Sequence, residues 1–170
     1  ISQYVMLSLN LNKTSHMGTL DPQVTGVLPI TLGRACKLSE YFMHKDKEYV
    51  GVMRLHSNIS LNNLRKEAEL FLGKIKQLPP VRSRVKREIR EREIKSLKFL
   101  EKKEKDVLFI TTVEAGTYIR KLIHDLGEKI GGAHMLELRR TKAGIFTEET
   151  VITLYEFDKL MKDEEKLRKV

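Results

Sequence analysis

Cysteine occurs once in the 170 residues, at Cys36, so no intrachain disulfide can form and a disulfide-stapled secreted scaffold is excluded. Tryptophan is absent and aromatic residues make up only 6% of the chain. That is too few, and too scattered, for a stacking platform that grips a single strand along its length. No apolar run approaches the roughly 18 residues that span a bilayer, which excludes a membrane protein. No secretory leader pattern opens the chain. Neither a P-loop nor a GxGxxG stretch occurs, so nothing cradles the phosphates of a nucleotide cofactor. The five histidines, His16, His44, His56, His124 and His134, show no HxxxH spacing, and no CxxC exists; no metal site is predicted. Internal repeats, low-complexity tracts and Ser/Gly linkers are missing as well, so residues 1–170 read as one domain. The first residue is Ile1 rather than methionine, which predicts that the natural N-terminus lies upstream.

What is plentiful is positive charge. Thirty-two Lys and Arg face 23 Asp and Glu, leaving a net charge of +9. With 41% hydrophobic and 32% charged residues, the composition is that of a soluble, intracellular globular protein. The charge fits either a polyanionic partner, through release of phosphate counterions, or a solvated Lys-rich surface. Its distribution favours the partner. Arg82, Arg84, Lys86, Arg87, Arg90, Arg92, Lys95 and Lys98 recur at nearly every second position, as on a strand with one cationic face. Glu88, Glu91 and Glu93 interrupt the run, so part of it is expected to pair with itself.

Hydrophobic spacing predicts mixed elements. Residues 14–30, rich in Gly, Thr, Pro and Asp, read as an ordered loop, and helical spacing follows over 32–42. Residues 48–56 alternate, with Tyr49, Gly51, Met53 and Leu55 on one face. Ser60 is placed to cap a helix carrying Leu61, Leu64, Ala68 and Phe71 inward, stopped at Gly73. Strands are predicted near 94–100 and over 106–114, then a helix with Ile119, Leu122, Ile123, Leu126 and Ile130 on its core face. A shorter segment spans 136–140, and a last helix follows Thr153 with Leu154, Phe157, Leu160 and Met161 inward. Without strict βαβ alternation, the fold class is α+β, with a central mixed or antiparallel sheet flanked by helices.

Two segments carry candidate chemistry. In the first, Asp21 precedes Pro22, which holds Asp21 extended, and Gly18 and Gly26 permit close backbone approach. A carboxylate on a rigid loop of a cationic chain suits an anionic nucleophile in a nucleic-acid site; equally, Asp21 can simply cap the turn at Pro22. In the second, Thr117 is expected to cap a helix that carries Arg120 in its first turn. A cation there opposes the helix dipole, so Arg120 either pairs with a carboxylate such as Asp21 or is an ordinary surface arginine.

Five segments in register resemble the pseudouridine synthases of the TruB/dyskerin family. His16-Met17-Gly18-Thr19-Leu20-Asp21-Pro22 with Gly26-Val27-Leu28-Pro29 resembles the family's catalytic loop GHxGTLDPxxxGxLP, and Lys47-Glu48-Tyr49 its K-x-Y strand. The run from Leu78 to Arg87 resembles PPxxSAVKR, and Gly116-Thr117-Tyr118-Ile119-Arg120 the GTYIR motif. Gly132-Ala133-His134-Met135 with Leu138-Arg139-Arg140-Thr141 and Gly144 resembles the closing GxHMxELRRTxxG. The spellings around residues 24–26, 81–83 and 134–135 are closer to the archaeal and eukaryotic H/ACA-type enzyme. Ser15 departs from the family glycine, and neither the family's KPxGxTS segment nor its C-terminal PUA RNA-binding domain is found between Ile1 and Val170. The chain therefore reads as a fragment or as a minimal variant of the catalytic domain.

The resemblance implies a cofactor-free isomerisation of uridine to pseudouridine in ribosomal or transfer RNA. By the same resemblance, Asp21 is the nucleophile or acid/base group, Arg120 keeps it charged and oriented, and Tyr49 stacks on the extruded base. His16 wedges into the RNA or contacts the flipped nucleotide, or else makes a loop hydrogen bond. Leu138 is a lid of the uracil pocket or an ordinary core leucine. Arg84, Lys86 and Arg87 contact phosphates. The implied partners are target RNA, an H/ACA guide RNA and its accessory proteins, with the protein cytoplasmic in an archaeon or nucleolar in a eukaryote. A stand-alone synthase acting on the transfer-RNA T-loop, and a non-catalytic RNA-binding scaffold, are the alternatives.

Overall fold

The computed structural model describes residues 1–79 and 86–162. Its centre is the alternating segment of the sequence, now strand β4 (Lys47–Leu55). Gly51, Met53 and Leu55 are buried on one face while Arg54 meets solvent. Before it come α1 (Ser2–Ser8), β1 (Thr14–His16), β2 (Thr25–Gly26), β3 (Ile30–Leu32), a 3₁₀ segment (Gly33–Leu38) and α2 (Ser39–Met43). After it come α3 (Leu61–Glu69), β5 (Gly73–Gln77), β6 (Arg90–Lys103), β7 (Asp106–Val113), α4 (Ile119–Lys129), β8 (Ala133–Ala143), β9 (Phe146–Thr147) and α5 (Leu154–Met161).

Seven strands form one sheet in the order β2-β8-β4-β7-β6-β5, with β9 also paired to β8, while β1 and β3 make a separate ribbon. Among the described residues only β2 and β8 run parallel; the other pairings are antiparallel, which makes the sheet mixed. One face is apolar. Met53, Leu55, Ile94, Phe99, Val107, Phe109 and Val113 from the strands pack with Leu64 and Ala68 of α3 and with Ile119, Leu122, Ile123 and Leu126 of α4. Burying each of the larger aliphatic side chains contributes about 1.5–3 kcal/mol, so these two helices are held chiefly by this face. The α+β class and the central mixed sheet stand as expected. Among the described residues, no helix is long and apolar enough to cross a membrane.

Local signals hold where they are strongest. Ser60 caps α3, its hydroxyl accepting from the Asn63 amide at 3.2 Å. Thr153 and Glu156 form a reciprocal capping box on α5. Other expectations are corrected. The segment 32–42 is not one helix, because its first residue ends β3 and a 3₁₀ stretch precedes the five-residue α2. The short segment at 136–140 belongs to an eleven-residue strand. Of the four α5 residues placed inward, Leu154 is exposed and only Phe157 is buried.

Among the described residues, the basic run does not lie on one face of a strand. Arg82 and Arg84 lie outside the described residues. On β6, Arg92 shares a face with Arg90, but Lys95 lies on the opposite face and donates to Asp46 at 2.6 Å. A register shift between Ile94 and Ser96 interrupts the pairing with β7. Glu91 is neutralised across strands by Lys74, 2.8 Å away.

Candidate active site

The residues between β1 and β3 are tied at their base, where the amide of buried Met17 donates to the Pro29 carbonyl at 3.0 Å. At the tip the Val24 amide donates to the Asp21 carbonyl at 2.9 Å, closing a turn whose second residue is Pro22. Proline pre-sets the backbone angle that position needs. The turn is thus closed by the main chain, and the Asp21 carboxylate is left to point elsewhere. It meets Arg120, with Oδ2 3.7 Å from Nε.

Arg120 comes from the first turn of α4, and that turn is fixed from a distance. Buried Gln77 accepts from the Tyr118 amide at 2.9 Å and donates to the Tyr118 carbonyl at 3.2 Å. Tyr118, not Thr117, occupies the N-cap position; the Thr117 hydroxyl donates instead to the Glu114 carbonyl at 2.7 Å. Arg120 therefore stands at the positive end of the helix dipole, as expected, and finds both Asp21 and the Gln23 side-chain oxygen, the latter at 3.1 Å. With side chains 43% and 63% exposed, the Arg120–Asp21 pair contributes at most about 1 kcal/mol to stability. Its consequence is orientation rather than folding energy.

Beneath the loop lies Arg140 of β8, only 1% exposed. Its guanidinium donates to the carbonyls of Val27 at 2.8 Å, Gly18 at 3.0 Å and, more weakly, Thr19 at 3.4 Å. Gly26 is pinned directly against the backbone of the same residue. Its φ is +105° and a Cβ there would lie 2.1 Å from the Arg140 carbonyl oxygen. The short parallel pairing of β2 with β8 depends on that close approach.

Tyr49 pairs with Arg140 across β4 and β8. Burial holds its phenol above the ordinary tyrosine range; the Arg140 guanidinium acts in the opposite direction and the Asp21 carboxylate in the same one. Lys47, two residues earlier, is 4% exposed. Burial first, and the neighbouring Arg140 second, lower its ammonium from 10.5 to about 8. Folding therefore carries a pH signature. Between about 8 and 10.5 the unfolded chain keeps the Lys47 proton that the folded protein has released, so stability rises with pH in that window. Relative to Lys47→Met, wild-type unfolding free energy should gain up to about 3 kcal/mol between pH 7 and 10, read by denaturant titration.

Asp21, Arg120, Gln23, Tyr49 and Arg140 are thus brought together from a loop, a helix and two strands. Beside them a cleft of about 230 Å³ runs between α4 and β8, lined by Gln23, Arg120, His124, His134, Met135 and Leu138 among others. Leu138 is 8% exposed, belongs to the core and also lines the cleft wall. The His16 imidazole hydrogen-bonds the Thr19 hydroxyl at 3.2 Å, which is its loop reading. Lys86 is exposed and ion-paired to Glu88, Arg87 is exposed, and Arg84 lies outside the described residues. Chemically, the cluster offers a solvent-facing carboxylate held by a guanidinium, with a phenol at the back.

Comparison with known proteins follows the same residues. Positions 7–119 match the TruB family pseudouridylate synthase N-terminal domain, and positions 120–170 the tRNA pseudouridylate synthase B C-terminal domain. The chain belongs to the TruB family. A probable tRNA pseudouridine synthase B of Archaeoglobus fulgidus is 49% identical over 152 residues, covering 89% of this chain and 47% of that protein. Its counterpart from Methanocaldococcus jannaschii is 47% identical over 177 residues, covering 100% and 53%. The chain spans about half the length of these TruB relatives. Among solved structures, a Cbf5-Nop10-Gar1 complex matches with a TM-score of 0.88 at 44% identity, over 96% of this chain and 51% of that one. An H/ACA RNP bound to a substrate RNA containing 2'-deoxyuridine matches with a TM-score of 0.83 at 42% identity, over 98% and 52%. The boundary between the two TruB matches falls in the first turn of α4, whose apolar residues belong to the core described above.

Gln23, Lys47, Gln77 and Arg140 were not singled out by sequence. Lys47 and Arg140 stood inside quoted motifs, and the nearest signal to Arg140 was its position in the Leu-Arg-Arg-Thr run.

Proposed function

We propose that the protein converts uridine to pseudouridine in RNA, with residues 1–170 acting as the catalytic domain of an H/ACA-type guide-RNA ribonucleoprotein. The observation that carries this reading is the meeting of Asp21 with Arg120 beside Tyr49, next to a cleft that Arg120 and Gln23 help to line. In the reaction the bond from the ribose to uracil N1 breaks, the base turns, and a bond forms to its carbon 5, which gives up a proton as N1 takes one. Asp21 acts as the nucleophile or the acid/base group. Its carboxylate faces water in the protein alone, so desolvation would come from the base laid over it, and Arg120 then keeps it ionised. Tyr49 offers its ring to the base and its hydroxyl to the region of carbon 5. His16 lies on the loop side of the site, and Leu138 on the cleft wall. No cofactor enters this scheme.

The guide-dependent form draws support from the structural likeness to a Cbf5-Nop10-Gar1 complex and to an H/ACA RNP bound to a substrate RNA. A stand-alone enzyme acting on transfer RNA is the second reading, favoured by the names of the sequence relatives. A non-catalytic scaffold fits poorly with Asp21, Tyr49 and Arg120 all present together. A single-turnover assay decides among the three. Pseudouridine formed only with guide RNA and accessory proteins supports the first, formation in bare transfer RNA the second, and none in either setting the third.

Electrostatic contacts are expected to supply most of the RNA affinity. Replacing Arg84, Lys86 and Arg87 together with alanine should weaken binding by a similar factor for unrelated sequences, and should flatten the dependence of log Kd on log salt by about two to three units. Because Lys86 already pairs with Glu88, its share should be the smallest. An unchanged salt slope would show that these charges are only solvated.

A further inference from the structure

We propose that Lys47 is a positioning residue: together with Arg140 it forms a cationic floor under Gly18 that sets the stance of the Asp21 loop over Tyr49. The inference rests on the reading of that loop as catalytic. Three observations carry it. Lys47 is buried, and its ammonium donates to the carbonyls of Met43, at 3.1 Å, and Lys45, which ties the end of α2 to the start of β4. Its Cε lies 3.6 Å from where a Cβ on Gly18 would stand, and the Arg140 Nη1 lies at the same distance from that point. Finally, Lys47 and Tyr49 share one face of the same strand, so a displacement of the floor is a displacement relative to the tyrosine ring.

The energetics point the same way. Among the described residues neither Lys47 nor Arg140 has a carboxylate within ion-pair distance, and the nearby Asp46 carboxylate is taken by Lys95. Two neighbouring buried cations satisfied mainly by carbonyls are costly compared with a hydrophobic pair of the same volume. What they supply in return is donors. Arg140 holds the Gly18, Thr19 and Val27 carbonyls, and Lys47 holds the Met43 and Lys45 carbonyls of the turn that leads into β4, with its stem beside Gly18. The groups facing Lys47 are Arg140 from β8, Asp46 from the preceding turn, and, through Arg140, Tyr49 and Asp21.

The test compares wild type with Lys47→Met, which keeps the apolar stem but loses the donors, and with Lys47→Gln, which keeps one. The first readout is amide hydrogen exchange across the chain. The second is kcat and KM for pseudouridine formation in the RNA that wild type modifies. In Lys47→Met, exchange of the hydrogen-bonded loop amides of Met17, Val24 and Val27 should quicken at least tenfold while the β4 and β7 core amides stay unchanged. Turnover should fall about tenfold with KM within twofold, because the phosphate contacts are untouched. Lys47→Gln should lie between the two, and it supplies the same comparison if the methionine variant does not fold. Unchanged exchange at the loop, or an equal increase through the whole sheet, would overturn the proposal. A wild-type protein that forms no pseudouridine overturns the catalytic reading instead, and the exchange data then decide the role of Lys47 alone.

Discussion

Asp21→Asn should abolish pseudouridine formation while leaving RNA binding in place. Asparagine keeps the shape and one carbonyl acceptor but removes the charge and the nucleophilic oxygen. The turn itself should survive, because the Val24 amide is held by the Asp21 main-chain carbonyl and not by the carboxylate. Loss of the exposed pair with Arg120 changes stability by no more than about 1 kcal/mol, so the variant should fold normally. Turnover should drop at least about a thousandfold, equivalent to roughly 4 kcal/mol or more of lost transition-state stabilisation. RNA affinity should hold or rise slightly, since removing an anion beside a phosphate backbone only reduces repulsion. The check is a single-turnover assay under conditions where wild type is active, with binding measured alongside. Appreciable activity in Asp21→Asn would refute the assignment and leave Asp21 as a turn residue, a role asparagine fills equally well.

Gly26→Ala should be among the most destabilising single substitutions in the protein. The position demands φ of +105°, which a Cβ makes unfavourable by about 1–2 kcal/mol. The added carbon would also sit 2.1 Å from the Arg140 carbonyl oxygen, a backbone atom that cannot move aside as a side chain can. Relief requires opening the β2–β8 pairing and, with it, the Val27 amide bond to Arg140 at 2.8 Å. We expect a loss on the order of 4 kcal/mol, or about 10 °C in melting temperature for a domain of this size. Activity should fall with it, because the loop that carries Asp21 is seated by the same contact. A melting temperature within about 2 °C of wild type would show that the loop is held elsewhere. Gly18→Ala is the informative comparison. Its φ of +98° is equally unfavourable, but its Cβ would meet only side-chain atoms at 3.6 Å, so it should cost less.

How far these features could be read without the structure depends on the range of the interaction responsible. The alternation of β4, the Ser60 cap and the start of the last helix after Thr153 are decided within a few residues, and each was legible. So was Pro22, because a proline after Asp21 acts on its nearest neighbours alone. Arg120 was legible in part. Its unfavourable place at a helix N-terminus signalled the need for a partner, although Gln23 as a second acceptor was not foreseen.

Arg140 and Lys47 gave no such signal. In a one-dimensional pattern a buried cation is indistinguishable from a solvated one, and this chain has 32 Lys and Arg. Their burial follows only when β8 lies beside β4 and the loop folds back across both, bringing Gly18 and Val27 onto a guanidinium more than a hundred residues away. The same holds for Gln77, whose side chain holds the N-cap residue of a helix, Tyr118, 41 residues later. The failed cationic face on β6 has the same origin. A register shift opposite β7 and an acid from another turn decide where each charge goes, and neither is written in the spacing of the lysines and arginines. By itself the sequence determined the alternation of β4, the Ser60 cap and an aspartate held extended by a proline. The tertiary structure alone decided which of the many cations would be buried beneath that aspartate's loop, because desolvation and the carbonyls that answer it exist only once distant segments have packed together.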